Sequence, residues 1–441
     1  MSRAAPLAVL VALVAGATAC NEDESRDGRR ESSTPSGFRA LSLSSCSRVF
    51  YEGEGRPRHL VVSDLPLQGA PRIAGVSMSK AIRLVLAERR FRAGRYAIGY
   101  QSCDDATAQA DGTDPKRCAV NGRAYAANRS VIGVIGPFES LCALTLLPPL
   151  NRAPDGPLGI VSPTTTYVGL TRSGPGSSPG EPEKYYPTGK RNFIRLRATD
   201  DLQGAANALL ARRLGIERAY LVDDGEPYGE GLATNFRRSA ERLGIAIAGA
   251  AAWDPNAPRY TDVVGEVRRS KADGVFVSGL MDLNGDQLLR ELRGGLGAGV
   301  DVMTPDGFYV DPSEFLRKIG SRAEGVTISL PGLPTDRLEA SSPELFERLR
   351  ERIGRQVDGD VVAAVQAAEV LLDAIATSDG TRASVTRNLF KTRVRDGPLG
   401  SFSISPEGDT TAGAVTIYRV ERGEFRTFAV ITPPDRLVTD G

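Results

Sequence analysis

The chain has 441 residues, 55 basic against 54 acidic side chains, and a single histidine. Balanced charge argues against a nucleic-acid or polybasic membrane surface. The one histidine, His59, stands in a Pro/Arg-rich lead-in to a strand, so any Ser-His-Asp, Cys-His or His-based zinc chemistry would depend on a residue that reads as structural or solvent-facing.

At the N-terminus Arg3, the apolar run Ala4–Gly16 and Ala17-Thr18-Ala19 lead into Cys20. The run is shorter than the ~20 residues that cross a bilayer and ends in small residues, which reads as a lipoprotein signal over residues 1–20. Cys20 is then the expected lipidation site, tethering the protein to the cell membrane outside the cytoplasm. Residues 21–40 are expected to be a disordered tether, since Asn21–Gly37 is rich in Ser, Asp, Glu, Arg and Pro and has no large apolar residue. The remaining ~400 residues exceed one compact core, and two domains are expected. Four further cysteines, Cys46, Cys103, Cys118 and Cys142, predict two disulfides in one of three pairings. Cys103 and Cys118 bracket a polar loop, which favours that local pair and leaves Cys46 with Cys142.

Beyond the tether, continuous apolar runs alternate with helical stripes, the mark of parallel strands buried on both faces. The first series comprises strands His59–Leu65, Tyr96–Tyr100, Val131–Ile135 and Leu158–Val161, with a helix marked by Ile73, Val76, Ile82, Val85 and Leu86. A second series begins near Asn192 with strand Phe193–Leu196, helix Leu202–Leu214, strand Ala219–Val222, helix Gly231–Leu243 and strands Ile245–Ala248, Gly274–Ser278 and Val300–Met303. Between the two lies Thr171–Lys190, with four Pro and four Gly and no periodicity; it reads as a surface insertion, or as a flap in which Tyr185 or Tyr186 closes on a ligand. Helices Pro343–Ile353 and Val361–Ala376 and strands Gly400–Ile404, Ala414–Arg419 and Phe425–Val430 follow, which suggests crossovers between lobes. A Gly-x-Ser-x-Gly match at Gly176–Gly180 has no strand before it and no helix after it, so it is no nucleophile elbow. No cofactor or metal motif is present, and no enzymatic activity is expected.

Gly136-Pro-Phe-Glu-Ser140, Ser162-Pro-Thr-Thr-Thr166, Asp224-Gly-Glu-Pro-Tyr-Gly-Glu-Gly231, the Gly279-Leu-Met turn, Pro305-Asp306-Gly307 and Glu324-Gly-Val326 occur in order. Over about Val61 to Val430 the chain resembles the leucine/isoleucine/valine-binding proteins, type 1 periplasmic binding proteins that serve ABC transporters. The resemblance implies an α/β clamshell of two Rossmann-like lobes with parallel central sheets, joined by three crossovers near Asn192–Leu196, Ser329–Leu333 and Gly397–Ser401. The lobes would be 41–191 plus 332–397 and 192–331 plus 398–432. A monomeric, lipid-anchored protein would hand a small ligand, such as a branched-chain amino acid, to ABC permease subunits.

Carried over residue by residue, Ser140, which by its chemistry could equally cap a helix, would hold the ligand carboxylate together with Thr165 and Thr166 of the Thr164–Thr166 turn. Asp306 would hold the ammonium and Tyr228 would cover the ligand, while Gln68 and Met281 complete the expected set. The resemblance also implies a Cys118–Cys142 disulfide, a rival to the local pairing. Leu280 and Met281 stand where many members have tyrosines, and Val361-Val362-Ala363 where an aromatic is common, so the pocket should be less aromatic. Glu139 would repel an anion unless it turns to solvent or meets an arginine. A ligand-sensing ectodomain and an amide, urea or carboxylate binder of the same fold are the alternatives.

Overall fold

A computed structural model of the chain describes residues 37–439 except 310, 355 and 356. The signal, Cys20 and residues 21–36 of the tether lie outside the described residues. The tether ends earlier than expected: Phe38 packs on a buried cluster, and the carbonyls of Arg39 and Ala40 accept from Asn128 Nδ2.

The first half of the chain forms β1 (His59–Leu65), α1 (Arg72–Glu88), β2 (Arg92–Ala93), β3 (Tyr96–Asp104), the small hairpin β4 (Ala106–Thr107) and β5 (Gly112–Thr113), α2 (Pro115–Ala127), β6 (Val131–Ile135), α3 (Ser140–Asn151), β7 (Ile160–Ser162) and β8 (Phe193–Arg195). Six of these strands assemble in the order β2-β3-β1-β6-β7-β8, all parallel except the β2 edge. Strand β6 is buried along its whole length and β1 beyond His59, as continuous apolar runs between two helical layers require.

The second half begins with α4 (Asp200–Leu214), β9 (Arg218–Asp223), α5 (Pro227–Arg242), β10 (Ala246–Ala252), α6 (Thr261–Ser270), β11 (Gly274–Ser278), α7 (Asp286–Leu296), β12 (Asp301–Thr304), α8 (Pro312–Ile319) and β13 (Thr327–Pro331). The chain then returns through α9 (Thr335–Ser341), α10 (Pro343–Ile353), α11 (Gly359–Ala376) and α12 (Arg382–Leu389), whose apolar faces join the core on the first sheet. It crosses back through the hairpin β14 (Arg393–Gly397) and β15 (Gly400–Ser403) and ends in β16 (Val415–Glu421), β17 (Glu424–Ile431) and α13 (Asp435–Val438). The second sheet has the order β10-β9-β11-β12-β13-β16-β17, with β16 and β17 added antiparallel. Each sheet carries a hydrophobic cluster on both faces, so the α/β fold has two sandwiched lobes.

Two expectations are corrected here. Phe193–Leu196 does not open the second series: β8 pairs in parallel with β7 at the edge of the first sheet, and the second lobe starts at α4. The disulfides are Cys46–Cys103 and Cys118–Cys142, not the local Cys103–Cys118 and Cys46–Cys142. The polar loop after β3 is closed by the β4–β5 hairpin instead of a sulfur bridge, and the N-terminal segment lies antiparallel to β3 with Cys46 opposite Cys103. Packing of α2 on α3 then brings Cys118 to Cys142.

Unreduced peptide mapping should recover these two links. The bonded residues are 57 and 24 positions apart, and cross-links closing such loops contribute about 3–4 kcal/mol each in the chain-entropy model. Replacing Cys118 and Cys142 together by Ala should therefore lower unfolding free energy by about 3 kcal/mol in denaturant titration; an unchanged midpoint would reject the link as a stabilising one.

Candidate functional site

Turns at the carboxyl ends of strands from both sheets line one cavity of about 80 Å³, the place where open α/β sheets hold ligands. On the first lobe, Gly136 ends β6 with φ +129°, and a Cβ there would stand 2.3 Å from the Asp64 carbonyl oxygen, so only glycine fits. The chain then enters α3, whose N-cap is Glu139 and whose first residue is Ser140; the expected Ser140 cap is thus shifted by one position. Glu139 makes no capping bond, and the first-turn N–H groups of Ser140 and Leu141, two residues that line the cavity, have no acceptor among the described residues. Ser140 Oγ accepts from the Tyr167 N–H at 3.3 Å, Thr164 donates its hydroxyl to the Phe138 carbonyl at 2.6 Å, and Thr165 donates to Ser162 Oγ at 2.8 Å. These bonds fix the Thr164–Thr166 turn beside the helix end.

On the second lobe, Asp306 follows β12, and its Oδ1 accepts from the Tyr228 hydroxyl at 2.6 Å and from Gln203 Nε2 at 2.8 Å. Among the described residues its Oδ2 takes no hydrogen bond, and the residue lines the cavity. Burial raises the Asp306 pKa, with the Tyr228 and Gln203 bonds acting against it. Gln203 is held in turn by donating to the Ser329 carbonyl at 3.1 Å and hydroxyl at 3.0 Å. Arg197 enters the cavity after β8, donating to the Pro331 carbonyl and to Asp360 Oδ1, each at 2.5 Å.

The cavity and its surroundings hold many buried acids. Burial pushes Asp224 up to about 7, against backbone bonds from Glu226 and Leu280, and Asp282 up to about 6. Burial likewise raises Glu139, with Asp282 and Asp224 adding to it, and Asp200, with Asp306 adding to it. Below the first-lobe turn, burial pushes Asp64 up to about 7 despite bonds from Tyr125 and Asn121, and lifts its neighbour Asp105 well above the carboxylate range.

Ser140, Thr165, Thr166, Tyr228 and Asp306 are therefore brought around one cavity. Gln68 and Met281 are not among its lining residues. Gln68 spends its Nε2 on Asp104 and the Ala106 carbonyl, and Met281 is buried in the second-lobe core; Leu280, one residue earlier, reaches the cavity instead. Glu139 neither turns fully to solvent nor meets an arginine, since it lines the cavity near Asp282. Tyr185 and Tyr186 do not close on the cleft: they are buried on the first lobe, donating to Glu181 and to the Leu170 carbonyl. Sequence reasoning missed Arg197, Gln203 and Asp360. The signal available was a charged residue directly after an apolar strand for Arg197, and an acid in the first turn of an apolar helix for Asp360.

A family model described as periplasmic binding protein matches residues 65–424, and the chain belongs to that family. The leucine-, isoleucine-, valine-, threonine- and alanine-binding protein of Pseudomonas aeruginosa is 21% identical over 318 residues, 72% of this chain and 79% of that protein. The crystal structure of a leucine-binding protein from Thermotoga maritima superposes with TM-score 0.72 at 21% identity, covering 86% of this chain and 99% of that one. An R. palustris solute-binding protein in complex with benzoate superposes with TM-score 0.68 at 14% identity, covering 85% and 96%. The fold is thus common to proteins with differing ligands.

The buried acids set a pH dependence. Groups such as Asp64, Asp224 and Asp282, at about 7, 7 and 6 when folded, bind protons in the native chain that the unfolded chain, titrating near 4, has already released. Stability of the ligand-free protein should then fall as pH rises from about 5 to 7. His59, which burial and then Arg58 lower to about 4, acts in the opposite sense as a single group. Thermal unfolding without ligand should give a higher Tm at pH 5.5 than at 7.5; the reverse order would mean that these carboxyls are ionised and hydrated.

Proposed function

We propose that this periplasmic binding protein is the extracytoplasmic solute receptor of an ABC transporter and closes on a small amine-bearing ligand, an amino acid or close analogue. The observation that carries this is Asp306, a carboxylate held by Tyr228 and Gln203 through one oxygen while the other is left for a ligand. A charge-assisted bond to an ammonium in a closed cavity is among the stronger contacts a protein can offer. The unpaired N–H groups at the start of α3 supply the matching anion site for a ligand carboxylate. A purely anionic aromatic ligand fits poorly, because Arg197, the one cationic side chain on the lining among the described residues, is already committed to Asp360. Relatives that bind branched-chain amino acids support the amino-acid class, and Phe138, Leu141, Leu144 and Leu280 offer an aliphatic side chain an apolar wall. Lipidation at Cys20 would hold the receptor at the membrane beside its permease. Among the described residues no helix is long and apolar enough to cross a membrane.

Asp306→Asn keeps the side-chain size and removes the charge. Truncating one partner of a buried charged pair commonly costs about 2–5 kcal/mol, so affinity should fall at least ~30-fold in calorimetry with the best amine-bearing ligand. Retention of nearly full affinity would refute the ammonium role of Asp306. Separately, Cys20→Ser should abolish acylation and release the protein from the membrane fraction; retention in high salt would contradict the lipid anchor.

A further inference from the structure

Among the described residues five carboxyl side chains line the cavity, Glu139, Glu226, Asp282, Asp306 and Asp360, against the single guanidinium of Arg197. Arg197 answers Asp360, and in the reading above a ligand amine answers Asp306. Two acids from opposite lobes remain on the same lining without an ion-pair partner among the described residues: Glu139 at the start of α3 and Asp282 in the turn after β11. Asp282 is the leading charged neighbour of Glu139. Asp282 reaches over to the first lobe, for a methyl placed on Gly112 would stand 2.5 Å from its Oδ2. Neither acid makes an ion pair among the described residues; the further charges acting on them are Asp111 and Asp224, both negative, and Lys318, which lies 3.5 Å from Glu314. A second sign of an unfilled position is Thr113, 8% exposed. Its hydroxyl has no partner of hydrogen-bond geometry among the described residues, yet it lies close enough to ease the burial of Glu139.

Two carboxyls facing one another in a desolvated space cannot both ionise unless a cation joins them. A metal ion is poorly served, because two carboxyls and a hydroxyl fall short of the six or more oxygens that calcium takes. An organic cation needs only N–H donors directed at two acceptors, and the apolar side chains of Phe138, Leu141 and Leu280 on the same lining suit an alkyl spacer between two charges.

We propose that the ligand carries a second positive group, an ammonium or guanidinium, that sits between Glu139 and Asp282 and ties the two lobes together. The substrate class is then a basic amino acid or a related diamino compound. This rests on the reading of Asp306 as the first amine anchor.

The test is calorimetry of the purified protein against lysine, ornithine, arginine, 1,4-diaminobutane, leucine and valine, with calcium chloride as a separate titrant. The single tryptophan gives a second readout, since Trp253 donates to the Leu283 carbonyl at 2.8 Å in the same turn that carries Asp282. A basic compound should bind at least ~10-fold more tightly than leucine and change the Trp253 emission, and Glu139→Gln and Asp282→Asn should each reduce that preference by ~10-fold or more. The two variants approach the position from different lobes, so one that folds, by its melting curve, is enough. Leucine or valine binding as tightly as the best basic compound would overturn the second cation and leave the amine reading standing. Calcium raising the Tm of the parent but not of either variant would overturn it in favour of a metal. If no amine-bearing compound binds, the reading of Asp306 falls first and this inference with it.

Discussion

A guanidinium with no solvent exposure has to find its counter-charge and all its acceptors inside the protein, and Arg195 does so where the two lobes join. From the end of β8 it donates to Asp409 at 2.8 Å, to the Tyr167 carbonyl at 2.6 Å and to the Thr171 hydroxyl at 2.6 Å. Arg172 meets the same Asp409 at 3.0 Å and continues to Asp201 at 2.7 Å on the first turn of α4. One ionic cluster therefore fixes the exit from β7, the crossing after β8, the entry into α4 and the segment that follows β15. Burial would raise the Asp409 carboxyl, but Arg195 and Arg172 overcome it and hold the group below the usual range. Removing one partner from such a pair leaves a buried charge uncompensated at a cost of about 3–5 kcal/mol. The fold depends on the cluster because β8, three residues long, has few ladder bonds of its own to define the junction.

The acids around the cavity follow the opposite rule. Asp409 has two guanidiniums, whereas Glu139, Asp200, Asp224 and Asp282 make no ion pair among the described residues, and burial shifts them toward the neutral form. Natural interiors keep such groups where a ligand supplies what the fold withholds. Arg197 shows the two regimes side by side: it pairs with Asp360 and leaves its neighbour across the cavity, Asp306, with a free oxygen.

The architecture was legible because its determinants are local. The run Val131–Ile135 is continuous and apolar and glycine turns recur after strands, so most strands could be placed from the local pattern, while the group Ser140, Thr165, Thr166, Tyr228 and Asp306 came from the resemblance carried by motifs such as Asp224–Gly231. What failed depends on distant contacts. Pairing of Cys46 with Cys103 requires knowing that the N-terminal segment runs beside β3. Strand β8 reads like any apolar strand, and only its pairing with β7 assigns it to the first sheet. Met281 and Leu280 are adjacent, and which one faces the cavity is set by the distorted turn from Met281 to Gly285, with non-helical dihedrals at Leu283 and Asn284. Tyr185 and Tyr186 sit in a Pro/Gly-rich segment that looks like a flap, yet the buried Glu181 collects the hydroxyls of Tyr167 and Tyr185 and folds the segment onto its own lobe.

The division of the site between lobes bears directly on how binding is coupled to closure. Asp306 after β12, Tyr228 of α5 and Gln203 of α4 form a bonded unit within the second lobe, so the protein alone orients the Asp306 carboxylate. The N–H groups of α3 and the Thr164–Thr166 turn form an equally rigid unit on the first lobe. A ligand touching only one unit interacts equally with open and closed forms and shifts nothing; one that spans both favours the closed form by the whole of its second set of contacts. The insertion adds a contact of its own with the second lobe, because Gly176 lies against Gly231 of α5 so closely that a Cβ on Gly176 would stand 2.6 Å from the Gly231 carbonyl oxygen. Glycine on both sides lets the two backbones meet there, one helical turn from Tyr228, and links the position of the insertion to that of the residue that orients Asp306.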